Sequence, residues 1–157
     1  MCRGNQRLKT LLSTDTTIVM TVTYRESSKM NTITLNSPTG RSTFHATLDK
    51  DMQRIVIINR SKREHYYHLD AINDLYLWLK NTMNKEWVYL GTKNEDETPN
   101  QGTVEAWARS STNPRGGFYG LKNGLKGRFA TFVPPILEYM GLVEIEHGGK
   151  NNRIRAI

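Results

Sequence analysis

The C-terminal stretch constrains the fold more than any other part of the chain. Residues 138–157 read EYMGLVEIEHGGKNNRIRAI: an apolar run stops at a glycine, and two alternating runs flank the polar tip HGGKNN. Pairing Glu146 with Arg153 predicts an antiparallel hairpin with one apolar face and one face of opposite charges. The register then sets Glu144 opposite Arg155, Ile145 opposite Ile154 and Val143 opposite Ala156.

The first two-thirds of the chain is rich in alternating patterns typical of strands. The sequence predicts strands over residues 16–24, 31–36, 42–48, 53–59 and 63–69. A helix capped by Asp70 follows, since a carboxylate can accept the first free backbone N–H groups. The sequence thus predicts a flexible basic tail over residues 1–14, then an antiparallel sheet with one packed helix over residues 15–91.

Residues 92–102, TKNEDETPNQG, are polar and contain proline and glycine, which predicts a linker. A short helix capped by Thr103 follows, and a glycine-rich stretch leads to a third apolar helix. We expect that helix to begin near Thr131 or to restart at Pro134, because proline is tolerated only in a first turn. Gly141 ends it.

The order helix, glycine-rich turn, helix, Gly141-Leu142-Val143 and β-hairpin resembles the winged-helix superfamily over residues 103–157. The resemblance implies a C-terminal winged-helix-like domain, so the predicted fold class is α+β. It also implies that the third helix enters the major groove of DNA and that the hairpin, the wing, contacts the backbone.

The formal net charge is +7, and the excess cations lie near the two ends of the sequence. A basic excess favours polyanionic partners, because neutralising phosphates releases counterions. We therefore expect a non-catalytic protein that binds nucleic acid, duplex DNA in particular, and a regulatory role is consistent with such binding. The predicted contact residues are Arg115, Lys122, Lys126, Arg128, Thr131, Lys150, Asn151, Asn152 and Arg153.

Three alternatives stay open. Arg153 and Arg155 can simply neutralise the acids opposite them on a solvated sheet face. Winged helices also serve as protein-interaction modules, which would make the partner a protein. Finally, RSKREHYYH over residues 60–68 interleaves cations with Tyr66 and Tyr67, a composition that can stack single-stranded bases on a sheet.

Several other classes of protein are disfavoured. The single cysteine, Cys2, allows no disulfide framework and no cysteine zinc cluster, which fits the cytoplasm. The chain contains no phosphate-loop motif and no G-x-S-x-G motif. No apolar run is long enough to cross a membrane. We expect no catalytic residue, no cofactor and no metal.

Overall fold

The computed structural model describes residues 7–12, 19–24, 31–121 and 127–157. Its contacts divide the chain into two compact units, 1–30 and 31–157. In the first unit, β1 (Arg7–Leu12) pairs antiparallel with β2 (Val19–Tyr24). β1 falls inside the segment predicted as a flexible tail, so the structure differs there: a paired strand takes the place of part of the tail.

Four strands of the second unit form an antiparallel meander. They are β3 (Thr32–Asn36), β4 (Thr43–Asp49), β5 (Arg54–Asn59) and β6 (Glu64–His68). Each coincides with a predicted strand to within one residue at either end. The alternation explains the agreement: in β4, Phe44 and Ala46 are buried while Thr43 and His45 are exposed.

Three helices and a second sheet follow the meander. α1 (Ala71–Leu77) continues as a π-helical turn over Trp78–Thr82, and α2 (Val104–Arg109) and α3 (Phe129–Tyr139) come later. The second sheet contains β7 (Val88–Tyr89), β8 (Val143–Ile145) and β9 (Arg153–Ala156), in the order β7-β9-β8. The predicted α+β class is confirmed.

The register predicted for the C-terminal hairpin is confirmed. Val143 pairs with Ala156, Glu144 with Arg155 and Ile145 with Ile154, and the Glu146 N–H donates to the Arg153 carbonyl. The apolar residues of both strands are buried. The pairing of opposite charges and the shared apolar face therefore set the register as the sequence indicated.

The segment predicted as a linker, residues 92–102, is packed within the second unit. The chain before it pairs with the chain after it, and the segment itself is hydrogen-bonded to α2. β7 precedes the segment and pairs with β9, which follows it, so that Val88 lies opposite Ile154. The Arg109 guanidinium donates to the carbonyls of Lys93, Asn94 and Glu97 at 2.7 to 3.0 Å. Residues 31–157 accordingly form one compact unit instead of two units joined by a linker.

Gly127 shows how closely this segment packs. A Cβ at Gly127 would lie 2.6 Å from the Glu95 nitrogen and 3.0 Å from the Asn94 carbonyl carbon. The next residue, Arg128, donates its backbone N–H to the Lys93 carbonyl. The segment thus fixes the chain immediately before α3.

α3 begins at Phe129, two residues earlier than predicted, and runs through Pro134 and Pro135 without restarting. The earlier start has a cause outside the helix. The buried Glu105 carboxylate of α2 accepts the N–H groups of Phe129 and Ala130, at 3.3 and 2.8 Å. The first N–H groups of a helix have no partner within that helix, so a side chain distant in sequence caps α3. Asp70, by contrast, makes no capping hydrogen bond to α1.

Aromatic packing places α3 between the meander and the other helices. Phe129 lies 5.7 Å from Tyr67 and 5.4 Å from Tyr119, between ring centroids. Phe132 lies 5.1 Å from both Phe44 and His65. The inner face of the meander therefore covers the first turn of α3.

Removing the Glu105 carboxylate should destabilise the fold strongly. Glu105→Gln leaves the Arg109 guanidinium buried without its acid, a change that typically costs about 3 kcal/mol. We expect that loss in the free energy of unfolding measured by urea denaturation. Glu144→Gln is the matched control, since the ion pair of Glu144 with Arg155 is exposed. This substitution should change stability little. Equal effects of the two substitutions would contradict this role of Glu105.

Candidate functional site

The C-terminal part of the fold has a defined order of elements. α1, β7, α2, α3, β8 and β9 follow one another, and β9 lies between β7 and β8 in the sheet. The loop between β8 and β9, residues 146–152, is termed the wing below. α1 and β7 belong to this arrangement although they precede residue 103, where the predicted domain begins.

α3 exposes little of its surface. Eight of its residues are buried, from Phe129 to Leu137 with Thr131 as the exception. Only its last residue, Tyr139, is fully exposed, and Arg128 is exposed just before it begins. A recognition helix that enters the major groove of DNA must present a free face to the bases. The meander and the neighbouring helices occupy that face here.

The predicted contact residues before and within α3 are engaged inside the protein. Arg115 lies 3.5 Å from the Asp70 carboxylate. The Arg128 side chain donates to the Asn94 side-chain oxygen at 2.8 Å, and Thr131 is half-buried. Lys122 and Lys126 lie outside the described residues.

The predicted contact residues of the wing differ in their surroundings. Lys150 and Asn151 are exposed at the tip. Asn152 is buried, and its side chain binds both the N–H and the carbonyl of Gly148, at 2.8 and 3.1 Å. Arg153 pairs with Glu146 at 2.6 Å. Asn152 therefore shapes the wing, and Lys150 and Asn151 remain available to a partner.

Arg128 and the base of the wing lie at opposite ends of α3. Arg128 precedes the first residue of α3, and the wing is attached near the end of the same helix, where His147 contacts Glu138. A helix with the 11 residues of α3 is about 16 Å long. Arg128 and His147 are therefore separated by about the length of α3.

His147 anchors the wing to the meander. Its Nδ1 atom lies 3.1 Å from the Pro38 carbonyl oxygen, in the turn between β3 and β4, and its Nε2 atom lies 2.7 Å from a Glu138 carboxylate oxygen. Both partners accept hydrogen bonds, so the protonated ring satisfies both. Partial burial lowers the pKa of His147, but the bonds to Glu138 and Pro38 outweigh it and the net pKa is raised.

This contact brings the wing to the end of the meander that carries the β3–β4 and β5–β6 turns, termed the upper turns below. In an antiparallel meander, the β3–β4 turn and the β5–β6 turn lie at the same end of the sheet. Five exposed cations belong to these two turns and the wing, and we term them the cationic end. They are Arg41, Arg60, Lys62, Arg63 and Lys150.

The acids near the cationic end are held by other groups. Glu64 accepts a hydrogen bond from the Tyr66 hydroxyl, Glu138 binds His147, and Glu146 binds Arg153. None of the five cations forms an ion pair with a residue in the described ranges. The sequence shows the basic run RSKR at residues 60–63. It does not show that this run lies near the wing, because only tertiary contacts bring the two segments together.

The two tyrosines proposed for base stacking have separate environments. Tyr67 is buried, and its hydroxyl donates to the Gly127 carbonyl at 3.2 Å. Tyr66 lies on the opposite face of the sheet, where the Arg54 guanidinium sits 4.8 Å from its ring centroid. Tyr67 is therefore a core residue, and only Tyr66 can face a ligand.

The polar clusters of the described residues include no group of three or more His, Cys, Asp or Glu side chains arranged to hold a metal ion. One polar cluster gathers His68, Asp70, Asp74, Arg115 and Tyr119. Burial raises the pKa of Asp74, while the Tyr119 hydroxyl donates to its carboxylate at 2.9 Å. These contacts join β6, α1 and the segment before α3.

The pKa of His147 should report the wing anchor. We expect an NMR titration of its ring protons to give a pKa above the usual value of about 6.5. Glu138→Gln should lower that pKa, whereas Glu144→Gln, which leaves the anchor intact, should not. Because the folded pKa is raised, the stabilisation is present at low pH and is lost as pH rises through that pKa. An unshifted pKa in the unmodified protein would contradict the anchor.

Comparisons with known proteins give one result. No curated protein and no solved structure matches the chain. In the described portion, every helix is too short or too polar to cross a membrane. A family model described as a family of unknown function, DUF6855, matches residues 25–157. The match covers the whole second unit, and the chain belongs to this family.

Proposed function

We propose that residues 71–157 form a winged-helix-like domain and that the protein binds duplex DNA through its cationic end, without catalysis. The element order and the strand order β7-β9-β8 support the first part. They extend the resemblance backwards from residue 103, since α1 and β7 supply a first helix and a first strand. A cytoplasmic location, suggested by the single cysteine, belongs to the same proposal.

The cationic end is the observation that carries the proposal. Five exposed cations gather at one end of the second unit, and the nearby acids already bind other residues. The resulting positive potential favours the phosphate backbone, where Lys and Arg replace condensed counterions. Contacts of this kind position a protein on nucleic acid but do not read its sequence.

The burial of α3 changes the role that the resemblance assigns to it. The helix is covered by the meander, so we propose that it supports the wing and the sheet instead of entering a groove. Phosphate contacts would then dominate, and the protein would bind duplexes of different sequence with similar affinity. A regulator with a narrow sequence preference fits this geometry less well.

Salt dependence of binding tests the proposal. We expect fluorescence anisotropy with a random-sequence duplex to show affinity that falls steeply as potassium chloride rises. Lys150→Ala and Arg63→Ala should each lower the slope of log affinity against log salt by about one unit. The control is Arg155→Ala, whose side chain pairs with Glu144 and should leave the slope unchanged.

No duplex affinity at low salt, or slopes unaffected by Lys150→Ala and Arg63→Ala, would overturn the proposal. Absence of affinity would favour a second candidate, a protein partner. The outer face of the second sheet supports it: the Arg155 guanidinium lies 4.5 Å from the Trp87 ring centroid, and Tyr89 is 53% exposed. Trp, Tyr and Arg are enriched where proteins bind one another.

A further inference from the structure

A depression beside the β5–β6 turn lies on the outer face of the meander. It has a volume of about 570 Å³ and is lined by Thr43, His45, Ile58, Asn59, Arg60, Lys62 and Glu64. The strand register explains the arrangement, because His45 lies opposite Ile58 and Ile58 lies opposite Glu64. The depression thus spans three adjacent strands, with an apolar side chain at its middle.

One side of the depression offers groups that suit a phosphate. Arg60 and Lys62 are exposed and form no ion pair with a described residue. His45 Nδ1 lies 2.9 Å from the Thr34 hydroxyl oxygen. When that hydroxyl donates to Nδ1, the imidazole carries its proton on Nε2, which becomes a donor for a ligand oxygen.

Hydrogen bonds to Asn59 fix the turn that carries these cations. The Asn59 side-chain oxygen accepts the Arg63 N–H at 2.9 Å, and the Asn59 carbonyl accepts the Lys62 N–H at 2.9 Å. Lys62 has a φ of 58°, a conformation that favours glycine or asparagine over lysine. A cation is thus held in place at a position where the backbone alone would favour another residue.

The other side of the depression offers groups that suit a nucleobase. Ile58 provides an apolar floor, and the planar ring of His45 stands beside it. Glu64, whose carboxylate also accepts from the Tyr66 hydroxyl, lines the depression on β6, opposite Ile58. A carboxylate repels phosphate, but it accepts hydrogen bonds from the exocyclic amino groups of adenine, guanine or cytosine.

We propose that this depression binds a nucleoside 5′-phosphate, with the phosphate at Arg60 and Lys62 and the base between Ile58 and Glu64. The volume suits a ligand of this size, since small-molecule sites occupy roughly 300 to 1,000 Å³. The ligand is either a free mononucleotide or the phosphorylated end of a strand. The site shares Arg60 and Lys62 with the cationic end but includes neither Arg63 nor Lys150, so the two kinds of binding are tested at different residues.

Calorimetric titration of the full chain with AMP tests the site. We expect AMP to bind and Lys62→Gly to lower its affinity at least about tenfold, since one charge-assisted contact is removed. The same change relieves a left-handed lysine, so stability should hold or rise. Lys85→Gly is the matched control: Lys85 is exposed with a φ of 61° and does not line the depression.

Four further ligands separate the parts of the proposal. Adenosine and inorganic phosphate should each bind more weakly than AMP, and Glu64→Gln should weaken AMP but not inorganic phosphate. A short single strand with a 5′-phosphate, compared with its 5′-hydroxyl form, distinguishes a strand end from a free nucleotide. Binding of the phosphorylated strand alone would assign the site to strand ends.

The proposal is overturned if neither AMP nor the phosphorylated strand binds at millimolar concentration. It is equally overturned if both Lys62→Gly and Lys85→Gly bind AMP with the affinity of the unmodified protein. Lys150→Ala and Arg63→Ala alter residues outside the depression, so failure of duplex binding and failure of nucleotide binding are read from different variants.

Discussion

The second unit depends on the interactions of one buried carboxylate, that of Glu105. It caps α3 by accepting the N–H groups of Phe129 and Ala130, and it pairs with Arg109 at 2.9 Å. Burial raises the pKa of Glu105, and the hydrogen bonds from Ala130 and Arg109 oppose that rise. Arg109 in turn donates to the carbonyls of Lys93, Asn94 and Glu97. One acid therefore connects α2, α3 and the loop between β7 and α2, and an unpaired charge there would be costly.

A helix fixed in this way serves as a core element. Aromatic rings of the meander pack on the first turn of α3, and within the helix Tyr139 alone is exposed. Exposed charge instead gathers where the wing meets the upper turns of the meander, through the contact of His147 with Pro38. The proposed duplex contact and the proposed nucleotide site both follow from this arrangement, on neighbouring parts of the same sheet.

Local patterns predicted the parts of the fold that depend on neighbours in sequence. The strands of the meander follow from alternation, and the C-terminal register follows from pairing Glu144 and Glu146 with the arginines opposite. The pairing of β7 with β9 could not be predicted, because two residues carry too weak a pattern and the partner is remote. The same holds for Glu105, which looks like an ordinary polar helix residue until α3 is placed beside it. The cationic end depended on a further long-range contact, that of His147 with Pro38, 109 residues apart in sequence.

The most direct measurement is an NMR map of backbone amide shifts as duplex DNA is added to labelled protein. We expect the amides of residues 60–63 and 148–151 to shift together, while those of residues 132–137 in α3 keep their positions and their slow hydrogen exchange. Shifts concentrated in α3, with faster exchange of its amides, would mean that the meander leaves the helix to expose it. That result would contradict a contact made by the cationic end over a buried helix.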